Sequence, residues 1–207
     1  MRQMHAILIA MGVLCLSPVT GTPATAQSNA SDAAFAEAVN AVKNKNYAHA
    51  VTLFADQAEA NQHDAQYNLA VLLKAGKGAP QDFLKALTWA WAAHLGGIEA
   101  AEDLSDELLD LIPEKSIEVA RDSVAKRLRA RIDSGEKPAV MQLARFHAEL
   151  LEEADYEQAY IWYSISAAIG IDGAFEARDD TRGDVDEEKI VELQVEAGTI
   201  FETLTFE

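Results

Sequence analysis

Chemistry in this chain would have to come from five histidines, one cysteine, a pair of glycines and a dense run of acids. The histidines are His5, His49, His63, His94 and His147. A zinc protease pairs two histidines four apart on one helical turn with a glutamate between them, and no such pair occurs. His147 and Glu149 are two apart and face different sides of a helix. Gly76-x-Gly78 has the outline of a phosphate loop, but such loops follow a strand and open a helix. Here a helical pattern comes first and Ala79-Pro80 follows, so the glycines read as a helix-ending turn. Residues 179–188 hold the densest acids. A calcium loop needs a glycine sixth and a glutamate twelfth. Counted from Asp179 the sixth residue is Asp184, and from Asp180 it is Val185, so the register fails. The run reads as a solvated turn whose acids suit the start of a helix. Arg182-Gly183-Asp184 inside it is a chance triplet. No G-x-S-x-G elbow is present. The expectation is a chain with no catalytic set, no metal ligands and no cofactor.

Composition narrows the class. The chain has 207 residues, with 34 acidic and 17 basic side chains, a formal net charge of −17. Such a surface repels nucleic acid and anionic membranes. Hydrophobic residues make up 49 %, enough for a folded core and too many for a disordered chain. Residues 1–26 read as a signal peptide. Arg2 supplies the positive start, Ala6–Leu16 the apolar run, and Ala24-Thr25-Ala26 the small-x-small cleavage pattern. A membrane span needs ~20 apolar residues, and this run has 11. Cys15 lies inside it after Leu14, where a lipoprotein signal would want a small residue. Cleavage after Ala26 leaves residues 27–207 without cysteine, a soluble periplasmic or secreted domain with no membrane span and no thiol chemistry.

The elements that would position any site are helices. Ala, Leu, Glu, Gln and Lys dominate, and apolar residues recur at steps of three and four. Phe83, Ala86, Trp89 and Ala93 form one stripe; Tyr156, Ala159, Trp162 and Ser166 form another. Ten helices are expected, near 31–43, 46–60, 64–75, 82–95, 98–111, 113–134, 138–151, 155–169, 172–181 and 186–205. Gly76, Gly78 and Pro80 end one of them and Asp82 caps the next. Pro113 sits where a first helical residue would be.

Sliding the chain by 73 residues superimposes two halves. Asp82 meets Asp155, Ala86 meets Ala159, Trp89 meets Trp162 and Gly97 meets Gly170. At an offset of 74, Ala65 and Leu69 meet Ala139 and Leu143. Matches on Trp, Gly and small Ala are those that close helix packing demands. A helix pair with one apolar stripe must cover it against the next pair, which favours a stack.

The residues Ala65-Gln66-Tyr67-Asn68-Leu69-Ala70, Gly76-Lys77-Gly78, Gln81-Asp82, Ala86-Leu87-Thr88-Trp89 and Gly97 resemble the Sel-like repeat, a relative of the tetratricopeptide repeat. The resemblance is partial over 139–174. There Ala159, Trp162 and Gly170 match, but Leu150-Leu151-Glu152-Glu153 replaces the glycine turn. Residues 33–62 look like an opening half-repeat. A first unit then spans 65–135 and a second 139–205. What the resemblance implies is an all-α fold, an α/α superhelix or solenoid of tetratricopeptide/Sel-like helix pairs, acting as a protein-binding scaffold without catalysis. Some members are linked with β-lactam binding, but those look cysteine-rich with a disulfide per repeat, which this chain lacks. His94 stands where the family pattern wants alanine and reads as a packed or boundary histidine.

Trp91 departs from the stripe, since it lies about 200° around the helix from Trp89 at 3.6 residues per turn. It is either packed on a neighbouring pair or exposed as a contact, and so a partner-binding candidate; Tyr67 and Tyr163 are weaker partner-binding candidates of the same kind, for which core packing is the favoured reading. The last 36 residues hold 12 acids and 3 bases, so a protein partner with a basic surface suits that end. The function expected is a non-catalytic periplasmic scaffold for protein–protein interaction. The alternative is a structural part of an envelope assembly for polysaccharide export or cell-wall work.

Overall fold

The computed structural model describes residues 24–206. They form ten α-helices and one 3-10 turn, with no strand among the described residues. In order these are α1 (Ala24–Lys43), α2 (Tyr47–Glu59), α3 (His63–Ala75), α4 (Phe83–Leu95), α5 (Ala100–Leu109), α6 (Glu114–Asp133), α7 (Lys137–Glu149), α8 (Tyr156–Ala168), α9 (Ala174–Thr181) and α10 (Ile190–Phe201). Residues 1–23 of the expected leader lie outside the described residues, and Ala24–Ala26 open α1. That helix therefore starts earlier than the expected position near 31. α10 is shorter than expected at both ends. The Asp186 carboxylate accepts the Glu188 backbone N–H at 3.0 Å, a local turn that competes with helix and delays its start. Pro113 precedes α6 in extended geometry (ψ 141°), and Glu114 is the first helical residue.

Neighbouring helices pack in pairs, as an all-α repeat stack requires. α3 lies on α4, and α4 also meets α5 and α6. α7 lies on α8, and α8 also meets α9 and α10. α1 packs on α2, α2 on α3, and α6 on α7. The core is built from alanines at points of closest approach, with Ala65, Ala86, Ala90, Ala139 and Ala159 all fully buried. Larger side chains fill the spaces between: Phe54, Leu87, Leu143 and Ile161 are also fully buried. Truncating one of them would cost about 2–5 kcal/mol, because such contacts collapse only partly.

The helix ends show why the two halves share a register. Asp82 accepts the Lys85 N–H at 3.0 Å and Asp155 accepts the Gln158 N–H at 3.0 Å, so α4 and α8 begin with the same cap. Before them, the Asp82 N–H donates to the Leu73 carbonyl at 3.2 Å, and the Asp155 N–H to the His147 carbonyl at 2.9 Å. The loop after α3 turns through Gly76 (φ 63°) and Gly78 (φ 85°). A Cβ on Gly78 would strike the Tyr47 carbonyl, so glycine here lets the loop lie directly on the start of α2. The loop after α7 has no glycine. It leaves the helix through Leu150 (φ −109°), whose carbonyl accepts the Arg121 Nε–H at 2.8 Å. The second loop is thus tied down by an arginine from α6, where the first packs closely through glycine.

Candidate functional site

The packing leaves a cleft of about 560 Å³ bounded by α4, α5, α6 and the loop after α7. Trp91 and His94 from α4 line it, with Glu102 and Asp106 from α5, Arg121 from α6, and Glu149 to Glu152 on the far side. Arg121 organises the centre. Its guanidinium lies 6.0 Å from the Trp91 ring centroid and pairs with Glu118, while Glu114 stands 3.9 Å away. The far wall is fixed by Glu149. One of its oxygens is 2.9 Å from His94 Nε2, and Arg145 donates to both oxygens at 2.9 Å. Arg145 also donates to the carbonyls of His94 and Leu95 at 3.2 and 3.1 Å, closing the end of α4. Burial pushes the Glu149 carboxyl upward, but the hydrogen bonds from His94 and Arg145 outweigh it and hold it below the ordinary carboxylate range. The wall is pre-ordered and charged. Glu102 and Asp106 make no ion pair among the described residues and are exposed at the rim.

Oxygens of Glu114, Glu118 and Glu152 approach within 4.8 Å of one another, all three exposed. Arg121 already supplies the positive charge among them, which accounts for the cluster without an ion.

Two further clefts flank this one. The first, about 510 Å³, lies between α2, α3, α4 and α6 and is lined by Trp89 and Arg127 among others. There Arg127 stacks 4.7 Å from the Trp89 ring, donates to the carbonyls of Ala58 and Glu59 at 3.2 and 3.0 Å, and pairs with Glu59 at 2.5 Å. The second, about 420 Å³, lies between α8, α9 and α10. Its Ser164, Arg178, Asp179, Arg182 and Gln194 stand 73 positions after Trp91, Ser105, Asp106, Leu109 and Arg121 of the central cleft.

Of the aromatic partner-binding candidates, two are packed in the core. Trp91 is 3 % exposed, which removes the reading of it as an exposed contact; only its edge reaches the floor of the central cleft. Tyr163 is also buried, against Ala144 and Ala159, and burial pushes its phenol up to about 12. Tyr67 is half-buried. Trp89 and Trp162, from the two expected stripes, are half-buried and pack against the core. The cause is packing on several sides. α4 contacts α3, α5, α6 and α7, and α8 contacts α7, α9 and α10, so no single stripe marks their buried side. The three arginines that close helix ends, Arg121, Arg127 and Arg145, were not singled out by sequence. Two of them lie in α6, where six of the chain's 17 basic residues are concentrated, and nothing local sets Arg121 and Arg127 apart from their neighbours there. Among the repeat residues, Ala65, Leu69, Ala86 and Ala159 are buried, while Gly76, Gly78, Gly97 and Gly170 all have positive φ. His94 sits at the cleft boundary on Glu149.

No family model matches the chain, and no curated protein matches it. Among solved structures it is similar to a protective antigen present in uropathogenic Escherichia coli strains, a protein displaying an SLR fold. Identity is 20 % and the TM-score 0.35, over 74 % of this chain and 40 % of that one. This chain therefore matches less than half of that protein's length. The all-helical, pairwise-packed architecture stands on the helix contacts themselves.

Proposed function

We propose that this chain is a non-catalytic helical-repeat scaffold that holds another protein outside the inner membrane. Residues 1–26 would direct export. Residues 27–207 would form the working domain, with an opening half-repeat at 33–62 and tandem units at 65–135 and 139–205. The central cleft carries the reading. It is large enough for partner side chains, its walls are fixed by Arg121 and Arg145, and its rim acids Glu102 and Asp106 are left free for a partner. Among the described residues its Ser105 hydroxyl donates to the Ala101 carbonyl at 2.7 Å and its His94 is held by Glu149, so no nucleophile–base pair lines it, which suits recognition better than turnover.

Photo-crosslinkers placed at Glu102 and Asp106 of the full chain in cells would test this. One protein should be captured at both positions, and a crosslinker at Glu152 on the opposite wall should capture it too, and lose it when Glu102 and Asp106 are both replaced by lysine. Capture of nothing from either position would sink the reading. Fractionation of the same cells would test export, with the protein expected in the periplasmic or secreted fraction.

A further inference from the structure

The last helix differs from its own counterpart in a way that packing does not require. α10 stands at the register of α6, 73 residues later. The exposed positions of α6 include Glu118, Val119 (55 % exposed) and Asp122; at the same register α10 carries Val191, Glu192 and Val195, the two valines 69 % and 65 % exposed. Leu128 of α6, a helix that packs on α7, is 4 % exposed; Phe201, its counterpart, is 40 % exposed. At about 100° per residue, Val191, Val195, Gly198 and Phe201 share one side of α10. No atom lies within 4 Å of where a Cβ on Gly198 would sit, so the stripe is open at its middle. Its Phe201 edge runs into the 420 Å³ cleft between α8, α9 and α10.

Charge selects the occupant. Glu192 and Glu196 lie one turn apart along the other edge of the stripe, and the last 36 residues carry 12 acids against 3 bases. A second copy docking by the same face would set these acids against themselves, in a chain already at −17. An anionic membrane is repelled for the same reason. We infer that the outer face of α10 docks a basic amphipathic helix of a partner protein. Its apolar side would cover Val191, Val195 and Phe201, and its lysines or arginines would reach Glu192 and Glu196. This rests on the scaffold reading but not on the central cleft.

The test uses the full chain and two labelled synthetic helices, one of leucine and lysine, one of leucine and glutamate, followed by fluorescence anisotropy. The Leu/Lys helix should bind and the Leu/Glu helix should not. Val191→Glu with Val195→Asp, which installs the residues α6 already carries, should weaken binding by about tenfold although it adds two negative charges. Glu192→Lys with Glu196→Lys should weaken it comparably, with helical circular dichroism unchanged for both. Tighter binding by the first variant would mean bulk charge alone attracts the peptide, and would overturn the proposal. So would a dimer of the unmodified protein that the same variant dissolves, since the face would then belong to a second copy. Crosslinks in cells that map to Glu102 and Asp106 but never to α10 would defeat this proposal and leave the scaffold standing; none at either place would defeat both.

Discussion

Replacing His147 by leucine should stabilise the protein, and more so in acid. His147 is 7 % exposed, and neither ring nitrogen has a hydrogen-bond partner. Its counterpart in the first half of the chain is Leu73, also buried, so an aliphatic side chain of similar volume is already accommodated at this register. An unsatisfied buried polar group costs about 1–3 kcal/mol. Removing it should raise Tm by roughly 2–4 °C for each kcal/mol gained, in a domain of this size. Burial lowers the pKa of this imidazole; Asp155 opposes and Arg129 assists. The unfolded chain therefore takes up the proton first. Stability from His147 is intact above the unfolded value near ~6.5. It is lost as pH falls through the interval down to the folded pKa, by up to about 1.4 kcal/mol per unit. His147→Leu abolishes that slope. Urea melts of both proteins at pH 7.5 and 5.5 measure it: the gap between them should widen at the lower pH. A variant that is less stable at both pH values, or a gap that does not change, would refute the reasoning.

Three other perturbations follow from the loops and the core. Asp82→Ala and Asp155→Ala each remove an equivalent helix cap and should each cost about 1 kcal/mol, read as matched Tm losses; a large disparity would show that the caps are not equivalent. Gly78→Ala forces a methyl group into the Tyr47 carbonyl at φ 85° and should cost more than either cap, about 1–3 kcal/mol in the same melts. In an ultraviolet titration, Tyr163 should ionise at about 12, later than an ordinary phenol. Because the unfolded phenol ionises first, stability drains away as pH rises through this range, and Tyr163→Phe should remove that loss.

Much of the architecture was legible because it rests on local rules. Helix formers, Asp82 and Asp155 as caps, and the Gly76-x-Gly78 turn are read within a few residues of where they act. The 73-residue offset was legible because α4 and α8 repeat their small-residue pattern. The functional surfaces were less so. Trp91 and Trp89 are the same residue type two positions apart, and both meet α6, which begins more than 20 positions later: Arg121 lies over Trp91 and Arg127 over Trp89. Arg121 finds the Leu150 carbonyl 29 residues away, and no local pattern marks that partnership. The 73-residue offset sets Val191 and Val195 opposite Glu118 and Asp122 in the sequence itself, but that the valines stay 69 % and 65 % exposed is a property of the packed fold.

The order of contacts along the chain has a mechanical meaning. The main interfaces join helices that follow one another or stand one place apart: α3 with α4, α4 with α6, α7 with α8, α8 with α10. Little holds the far end to the near one. Under tension on the C-terminus, α10 and then α9 would peel from α8 while α3 and α4 stayed closed, and slack would let them re-zip in reverse order. A chain laid out this way can loosen its last pair of helices without first opening the others.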